Sequence, residues 1–294
     1  MIQAAVLGRV GIDLYPNQLE TPLSQVRTYT RFVGGFAGNV ATGLARLGVR
    51  TAIVSRVGAD PHGDFVREWL AVEGVDVRFL ATDPYWLTPP TFCEVWPPDR
   101  FPIFFYRRPS APDWQLSPGD FDRGEVAGAP LLYATGTGLA QSPSRETTLA
   151  ALREHRGTTI FDLDWRPTLW DEPAEYPKLA AAGAGAADVV IGNEDEVEAA
   201  GLGEVPRLVL KRGGRGATVL EDGEATDVAG RPVEVVNGLG AGDAFAAALG
   251  HGLLRGLSLV DAARRGNVAG SIVASRLACS DAMPRLDELA EAVV

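Results

Sequence analysis

The tetrad Gly240-Ala241-Gly242-Asp243 sets a carboxylate directly after a stretch of bare backbone. Where glycines remove side chains, backbone N–H groups converge on an anion, and the positive end of a following helix strengthens the attraction. A carboxylate beside such a hole has the chemistry of a general base, taking the proton from a hydroxyl as it attacks a phosphoryl group. Spacing alone leaves a plainer reading open, in which the glycines only turn the chain and Asp243 only complements its helix dipole.

Other polar groups stand where apolar runs give way to loops. Asp162-Leu163-Asp164-Trp165-Arg166 supplies two carboxylates and a guanidinium. The planar fork of Arg166 suits a carboxylate or a phosphate; equally, an Asp–Arg pair pins a loop. Gly34-Gly35-Phe36-Ala37-Gly38-Asn39 joins two glycines, which admit close backbone approach, to an amide that both donates to and accepts from hydroxyls. As local structure the same residues enter a helix. Asn193-Glu194-Asp195-Glu196 has the spacing of a helix capping box. Lys211-Arg212-Gly213-Gly214-Arg215-Gly216 links two β-rich runs as a hairpin turn.

The elements that must hold these groups follow from periodicity. Val235 and Val236 read as a strand feeding the glycine turn, and Phe245, Leu249 and Leu253 recur at the spacing of one helix face. Strands are expected at 4–7, 51–54, 131–134, 159–163, 189–191, 207–210 and 217–220. Helices are expected at 38–47, 63–73, 144–153, 194–200, 243–254 and 259–276. Continuous apolar strands alternating with helices indicate an α/β fold whose parallel sheet is covered on both faces. The 77–116 region breaks the alternation with prolines, aromatics and two β-rich runs around 91–96 and 103–106, an antiparallel pair joined by Pro97-Pro98-Asp99-Arg100. Its apolar content fits a small β-sheet lid over a site, a face for a partner subunit, or both. We expect one domain over 1–294, its lid contributed mainly by 77–116.

A chain of 294 residues with 46% hydrophobic and 22% charged residues is ordinary for a globular protein. The net charge of −11 argues against nucleic acid and anionic membrane as partners. Cys93 and Cys279, far apart and without metal spacing, read as two buried free thiols. The start, Met1-Ile2-Gln3-Ala4-Ala5-Val6-Leu7, runs straight into a strand with no basic leader, and a cytoplasmic protein is expected.

No Gly-x-x-x-x-Gly-Lys-Ser/Thr occurs, which excludes a Walker-type NTPase, and Asp243 stands where a dinucleotide fingerprint needs its third glycine. The Gly240–Asp243 core instead resembles the C-terminal signature of the ribokinase-like (PfkB) carbohydrate kinases, Asp-Thr-x-Gly-Ala-Gly-Asp, departing from it at Asn237 and Gly238. Gly34-Gly35 with Asn39 and Ala41 resembles the family's N-terminal Gly-Gly-x-x-x-Asn-x-Ala. The resemblance runs essentially end to end and implies a ribokinase-like three-layer sandwich with a mainly parallel central sheet and a small β-sheet lid. It also implies ATP-dependent phosphorylation of a sugar hydroxyl. Asp243 would be the base and the Gly240, Ala241 and Gly242 amides the anion hole. Asp13, Gly34, Gly35 and Asn39 would hold the sugar, and Lys211, Gly213, Gly216 and Asn267 would lie along the nucleotide. Asn193 and Glu196 would hold the water shell of Mg²⁺. Some relatives use a monovalent cation behind the anion hole; here the loops after Val233 and around Ala278–Met283 are the place for one. Residues 136–146, 161–170 and 278–284, with Asn237-Gly238, resemble the branch that phosphorylates a keto sugar acid in bacterial myo-inositol breakdown. A carboxylate-bearing substrate needs a cation, for which Arg107, Arg108 and Arg166 are the candidates. Rival readings are another sugar or nucleoside kinase on the same frame, a non-catalytic nucleotide or sugar sensor, and, disfavoured by the missing fingerprint, a nicotinamide oxidoreductase.

Overall fold

All four residues of Ala4–Leu7 are buried, and they divide between two faces: Ala4 and Val6 join one apolar cluster, Ala5 and Leu7 another. A strand apolar on both sides needs a layer of helices over each. The computed structural model, which describes residues 1–293, has this construction. Its strands are β1 (Ala4–Leu7), β2 (Gly11–Pro16), β3 (Tyr29–Gly34), β4 (Thr51–Gly58), β5 (Leu80–Asp83), β6 (Pro90–Cys93) and β7 (Ile103–Phe105). They continue with β8 (Leu131–Thr135), β9 (Thr158–Asp162), β10 (Val189–Asn193), β11 (Arg207–Lys211), β12 (Gly216–Glu221) and β13 (Glu224–Ala229). The helices are α1 (Phe36–Arg46), α2 (Pro61–Val72), α3 (Arg123–Ala127), α4 (Ser144–Glu154) and α5 (Tyr176–Ala184). They end with α6 (Glu194–Ala200), α7 (Ala241–Leu254), α8 (Leu259–Ala274) and α9 (Leu286–Val293).

Nine strands form the main sheet in the order β13-β12-β11-β10-β9-β8-β1-β4-β5. Pairing is parallel from β11 to β5 and antiparallel through the hairpins β11–β12 and β12–β13. Val40 and Leu44 of α1, Leu70 of α2, Phe245 and Leu249 of α7 and Leu259 of α8 cover one face. Leu152 of α4, Tyr176 and Ala180 of α5 and Ala200 of α6 cover the other. The result is a three-layer α/β sandwich. Among the described residues no helix is long and apolar enough to cross a membrane.

A second sheet, β3-β2-β6-β7, forms the lid. The expected antiparallel pair is present as β6 and β7, with Phe92 opposite Phe104. The expected origin of the lid needs correction, because β2 and β3, from residues 11–34, supply half of its strands. Within 77–116, moreover, β5 belongs to the main sheet, and Ala111, Trp114 and Leu116 are packed into its core. Run composition marks a strand but not the edge that will accept it. The strand expected at Val235-Val236 is also absent. The amides of Val236 and Asn237 both donate to the carbonyl of Ala274, at 2.9 and 3.1 Å, so this extended segment is docked on the C-terminal end of α8.

Candidate active site

In an open α/β sheet the side chains just beyond the carboxyl ends of parallel strands share one rim, where ligands bind. Here that rim carries Arg9 after β1, Asp162 at the end of β9 with Asp164 and Arg166 beyond it, Asn193 at the end of β10 and Lys211 at the end of β11, all lining one cleft of about 340 Å³. The lid roofs it with Asp13 and Tyr15 of β2, Cys93 of β6, and Ile103 and Phe105 of β7. Cys279 also lines the cleft, its Sγ in contact with the Tyr15 hydroxyl, so the two sequence-distant thiols share one site; both are buried and free.

Gly240 caps α7 in the left-handed conformation, φ +82°, and a Cβ there would sit 2.8 Å from the Cys279 Sγ. No side chain caps this helix; the Ala241 amide makes only a long 3.4 Å bond to the Gly238 carbonyl, and the amides that follow in the first turn have no intrahelical acceptors. Asp243 lies in the first turn and accepts a 2.7 Å hydrogen bond from Asn39 Nδ2. Burial raises its pKa to about 6; Asp164 adds to the rise, while the Asn39 bond, Lys211 and Arg166 oppose it. Asn39, expected as a sugar ligand, therefore also orients Asp243. Its Oδ1 is buried without a partner among the described residues, an acceptor left free for a hydroxyl.

Asp13 is in lid strand β2 rather than in a loop. Its carboxylate lies over Gly34, where a Cβ would fall 2.1 Å from Asp13 Cγ. Gly35 has φ +84° and abuts the Arg9 carbonyl, 2.6 Å from an added Cβ, which lets α1 begin against the end of β1. Burial pushes Asp13 up to about 7, with Arg9 opposing and Asp243 adding. A carboxyl raised this far above its unfolded value destabilises the fold fully above pH 7, and the penalty vanishes as pH falls toward 4. Asp13→Asn is accordingly expected to raise Tm by roughly 3 °C or more at pH 8. The gain should disappear by pH 4 in thermal melts; a destabilised variant at pH 8 refutes this account of Asp13.

Asp164 has φ +36°, unusual for a residue with a Cβ. It is held by Arg9 Nη2 (2.8 Å), Thr137 Oγ1 (2.5 Å) and its own amide, which donates to Asp162 Oδ1 (3.0 Å). Burial acts to raise its pKa, but the Arg9 and Arg166 charges outweigh that and hold it low. Asp162 is pushed up to about 7 by burial, against the pull of Lys211, whose Nζ is 3.0 Å away. Arg166 reaches Asp164 Oδ1 and Glu196 Oε1, each at 3.4 Å, and its pKa is raised despite burial by Asp164, Glu196 and Asp243 in turn. Asn193 and Glu196 form the reciprocal capping box and also line the cleft, so the structural and ligand readings coexist in the same residues.

Arg107 does not meet the cleft. It is buried in an ion pair with Asp113 and stacked on Trp114 at 4.2 Å, so its guanidinium is turned into the core rather than toward a ligand. Arg108 is exposed, 3.9 Å from Asp171 and likewise outside the cleft lining. The cation missed by sequence reasoning is Arg9. Its signal was available: a lone guanidinium in an otherwise apolar stretch, just past the end of the first strand.

A second cavity, about 370 Å³, lies behind the glycine turn between the β11–β12 hairpin and α8. Gly213, Gly216, Val233, Val235, Phe245 and Asn267 are among its lining, which suits a flat apolar ring. Gly216, φ +93°, is dictated by close packing: a Cβ would sit 2.1 Å from the Val228 carbonyl. Asn267 Nδ2 donates to the carbonyls of Val228 and Ala229 at 3.2 and 3.0 Å. Both cavities are lined by Lys211, Gly213, Gly238, Ala241 and Gly242, so the anion hole stands at their junction. Phe101, in the lid loop between β6 and β7, packs on Gly238, 2.9 Å from where a Cβ would be. Asn237, buried where the related signature has aspartate, donates from Nδ2 to the Leu277 carbonyl (2.6 Å) and accepts from the Leu239 amide (3.0 Å). An aspartate could not make the first of these bonds.

The three-layer fold with two cavities meeting at a glycine turn is that of the α/β sugar-kinase class. The pfkB family carbohydrate kinase pattern matches residues 1–286, and the chain belongs to that family. It is 36% identical over 303 residues to a 5-dehydro-2-deoxygluconokinase of Shouchella clausii, an alignment covering 96% of this chain and 93% of that one. An uncharacterised sugar kinase from Pyrococcus horikoshii, solved in complex with ATP, superposes with a TM-score of 0.88 at 28% identity, covering 99% of this chain and 100% of the other. A Vibrio cholerae fructokinase bound to fructose, ADP and calcium gives 0.86 at 28% identity, covering 100% and 99%. The chain is an ATP-dependent sugar kinase with the ribokinase fold.

Proposed function

We propose that this kinase transfers the γ-phosphoryl group of ATP to the primary hydroxyl of an open-chain keto sugar acid, 5-dehydro-2-deoxygluconate, giving its 6-phosphate. The observation that carries the reaction type is the position of Asp243 and its bare helix turn between a polar cleft and an apolar cavity. The name and near-complete alignment of the relatives support the substrate. In this reading the sugar lies under the lid against Asp13, Gly34, Gly35 and Asn39, and the nucleotide lies along Lys211, Gly213, Gly216 and Asn267. Asp243 takes the hydroxyl proton as the new O–P bond forms and the bond to the leaving ADP oxygen breaks. The Gly240, Ala241 and Gly242 amides, with Lys211, stabilise charge on the group in transit. Arg166, paired with Asp164 and Glu196, serves this reacting end.

Glu196 offers a buried hard carboxylate: Oε2 accepts from the Asn193 amide, while Oε1, in only a long contact with Arg166, can accept from a metal's waters. No group of three or more ligating side chains forms a direct metal cage among the described residues. That suits Mg²⁺, which keeps several waters. Asn193 and Glu196 would hold it through that shell, and when bound the ion neutralises phosphate charge. Asn237 already bridges the two loops that would flank a monovalent cation, so no step is assigned to one. The seating of Phe101 on the turn supports a lid that excludes water from the phosphoryl group. The acidic balance fits a cytoplasmic enzyme of small anions without nucleic-acid or membrane partners.

The lid's outer face carries Tyr29, Phe92 and Tyr106 in edge-on contact, beside Phe104, which is 40% exposed. We expect a homodimer through this face; sedimentation at micromolar concentration should give twice the chain mass, and a clean monomer removes the dimer. The function itself is tested by ADP release against a panel of keto sugar acids, fructose and nucleosides. Preference for 5-dehydro-2-deoxygluconate is the expected result. Equal use of fructose defeats the substrate assignment, and no ADP release with any sugar favours a sensor.

A further inference from the structure

An open-chain sugar acid whose reacting hydroxyl lies at Asp243 carries its carboxylate at the opposite end of the molecule. The cation that meets it must therefore stand away from the base. Arg166 pairs with Glu196 Oε1 at 3.4 Å, on the side of the cleft read above as the metal's. Arg9 pairs with neither Glu196 nor Asp243 among the described residues; its partner is Asp164. Arg9 is only 7% exposed yet lines the cleft, at the exit of β1 and beneath the lid. The Phe105 ring of β7 lies over its guanidinium at 5.5 Å, and Asp13 of β2 feels its charge.

The guanidinium is held on two of its three nitrogens. Nε donates to Thr137 Oγ1 and Nη2 to Asp164 Oδ2, both at 2.8 Å, and Thr137 itself donates to that same Asp164 oxygen. Nη1 has no hydrogen-bond partner among the described residues. The backbone is held too, because the bare Gly35 fits against the Arg9 carbonyl. Asp164 is shared between Arg9 and Arg166, and Glu196 faces Arg166 alone. One carboxylate thus serves two guanidiniums, and the other carboxyl near Arg9, Asp13, is pushed up to about 7 by burial and is only partly charged at neutral pH. A rigid, desolvated, incompletely neutralised guanidinium with one open nitrogen is an anion subsite.

We infer that Arg9 holds the substrate's carboxylate and is the residue by which the enzyme selects sugar acids over neutral sugars. The inference rests on the keto-sugar-acid reading above. It is tested by measuring kcat/KM for 5-dehydro-2-deoxygluconate and for its C1 primary amide, an uncharged analogue of nearly the same shape. The measurement is made on wild type, Arg9→Gln, Arg9→Lys and Arg166→Gln. Wild type is expected to favour the acid by roughly 30-fold or more, the size expected when a buried charge pair loses one partner. Arg9→Gln should bring the acid-to-amide ratio close to one with KM for ATP little changed, and Arg9→Lys should restore part of the ratio. Arg166→Gln should slow both substrates and leave the ratio as in wild type. If Arg9→Gln does not fold by circular dichroism, Arg9→Lys and Arg166→Gln decide. A wild-type ratio in Arg9→Lys with its loss in Arg166→Gln overturns the inference, as does an unchanged ratio in a folded Arg9→Gln. A wild type that treats acid and amide alike refutes the sugar-acid reading itself, an outcome distinct from either.

Discussion

Asp243→Asn is expected to lower turnover by roughly 10²–10⁴-fold while nucleotide binding persists. Asparagine keeps the shape of the side chain and can still bond to Asn39 after an amide flip, so the variant removes basicity with little else. The pH profile gives a second readout. Burial sets Asp243 at about 6, and a base acts only when deprotonated, so the wild-type rate should rise with pH through about 6 and level off above it. The residual activity of Asp243→Asn should lack that limb. Near-normal turnover in a folded variant places the base elsewhere. Retention of the limb with much-reduced turnover assigns the titration to another cleft carboxyl, Asp13 or Asp162, each pushed up to about 7 by burial.

Gly34→Ala should be almost as damaging, for a steric reason. Its Cβ would occupy the space of the Asp13 carboxylate, 2.1 Å from Cγ. Either Asp13 swings away or the β2–β3 pairing, in which Gly34 faces Gly11, opens locally. Both remove the charged acceptor from the sugar. Two charge-assisted hydrogen bonds lost correspond to roughly 10²-fold or more in KM for the sugar. KM for ATP should hardly move, because the second cavity is built from other elements. A normal sugar KM in the purified variant shows that Asp13 is not a sugar ligand.

Most of the main sheet and its helices is legible in local pattern, because burial on two faces forces continuous apolar runs and amphipathic helices show a 3.6-residue period. Expected segments at 4–7 and 194–200 match β1 and α6 residue for residue, and the others shift by a few residues at their ends. The Gly240–Asp243 turn is equally legible, since the left-handed Gly240 and an uncapped helix start are local demands. Val235-Val236 misleads because two β-branched residues look alike whether their amides meet a sheet or, as here, the last carbonyl of α8.

By itself, then, the sequence determined the α/β class, the helix that presents Asp243 and the hairpin that carries Lys211, all consequences of residues close together in the chain. Only the tertiary structure decided which distant groups meet: Asn39 with Asp243, Asp13 over Gly34, Cys93 and Cys279 in one cleft, and Arg9 with Asp164. Arg107 and Arg9 show why. Arg9 is a lone arginine in an apolar stretch and Arg107 is one of an adjacent pair, yet neither setting says which guanidinium faces a ligand. Packing seals Arg107 beneath Trp114 against Asp113, outside the cleft, whereas Arg9 lines the cleft and shares Asp164 with Arg166. Whether a charge can reach a ligand depends on where packing leaves it, and that place is a property of the packed chain.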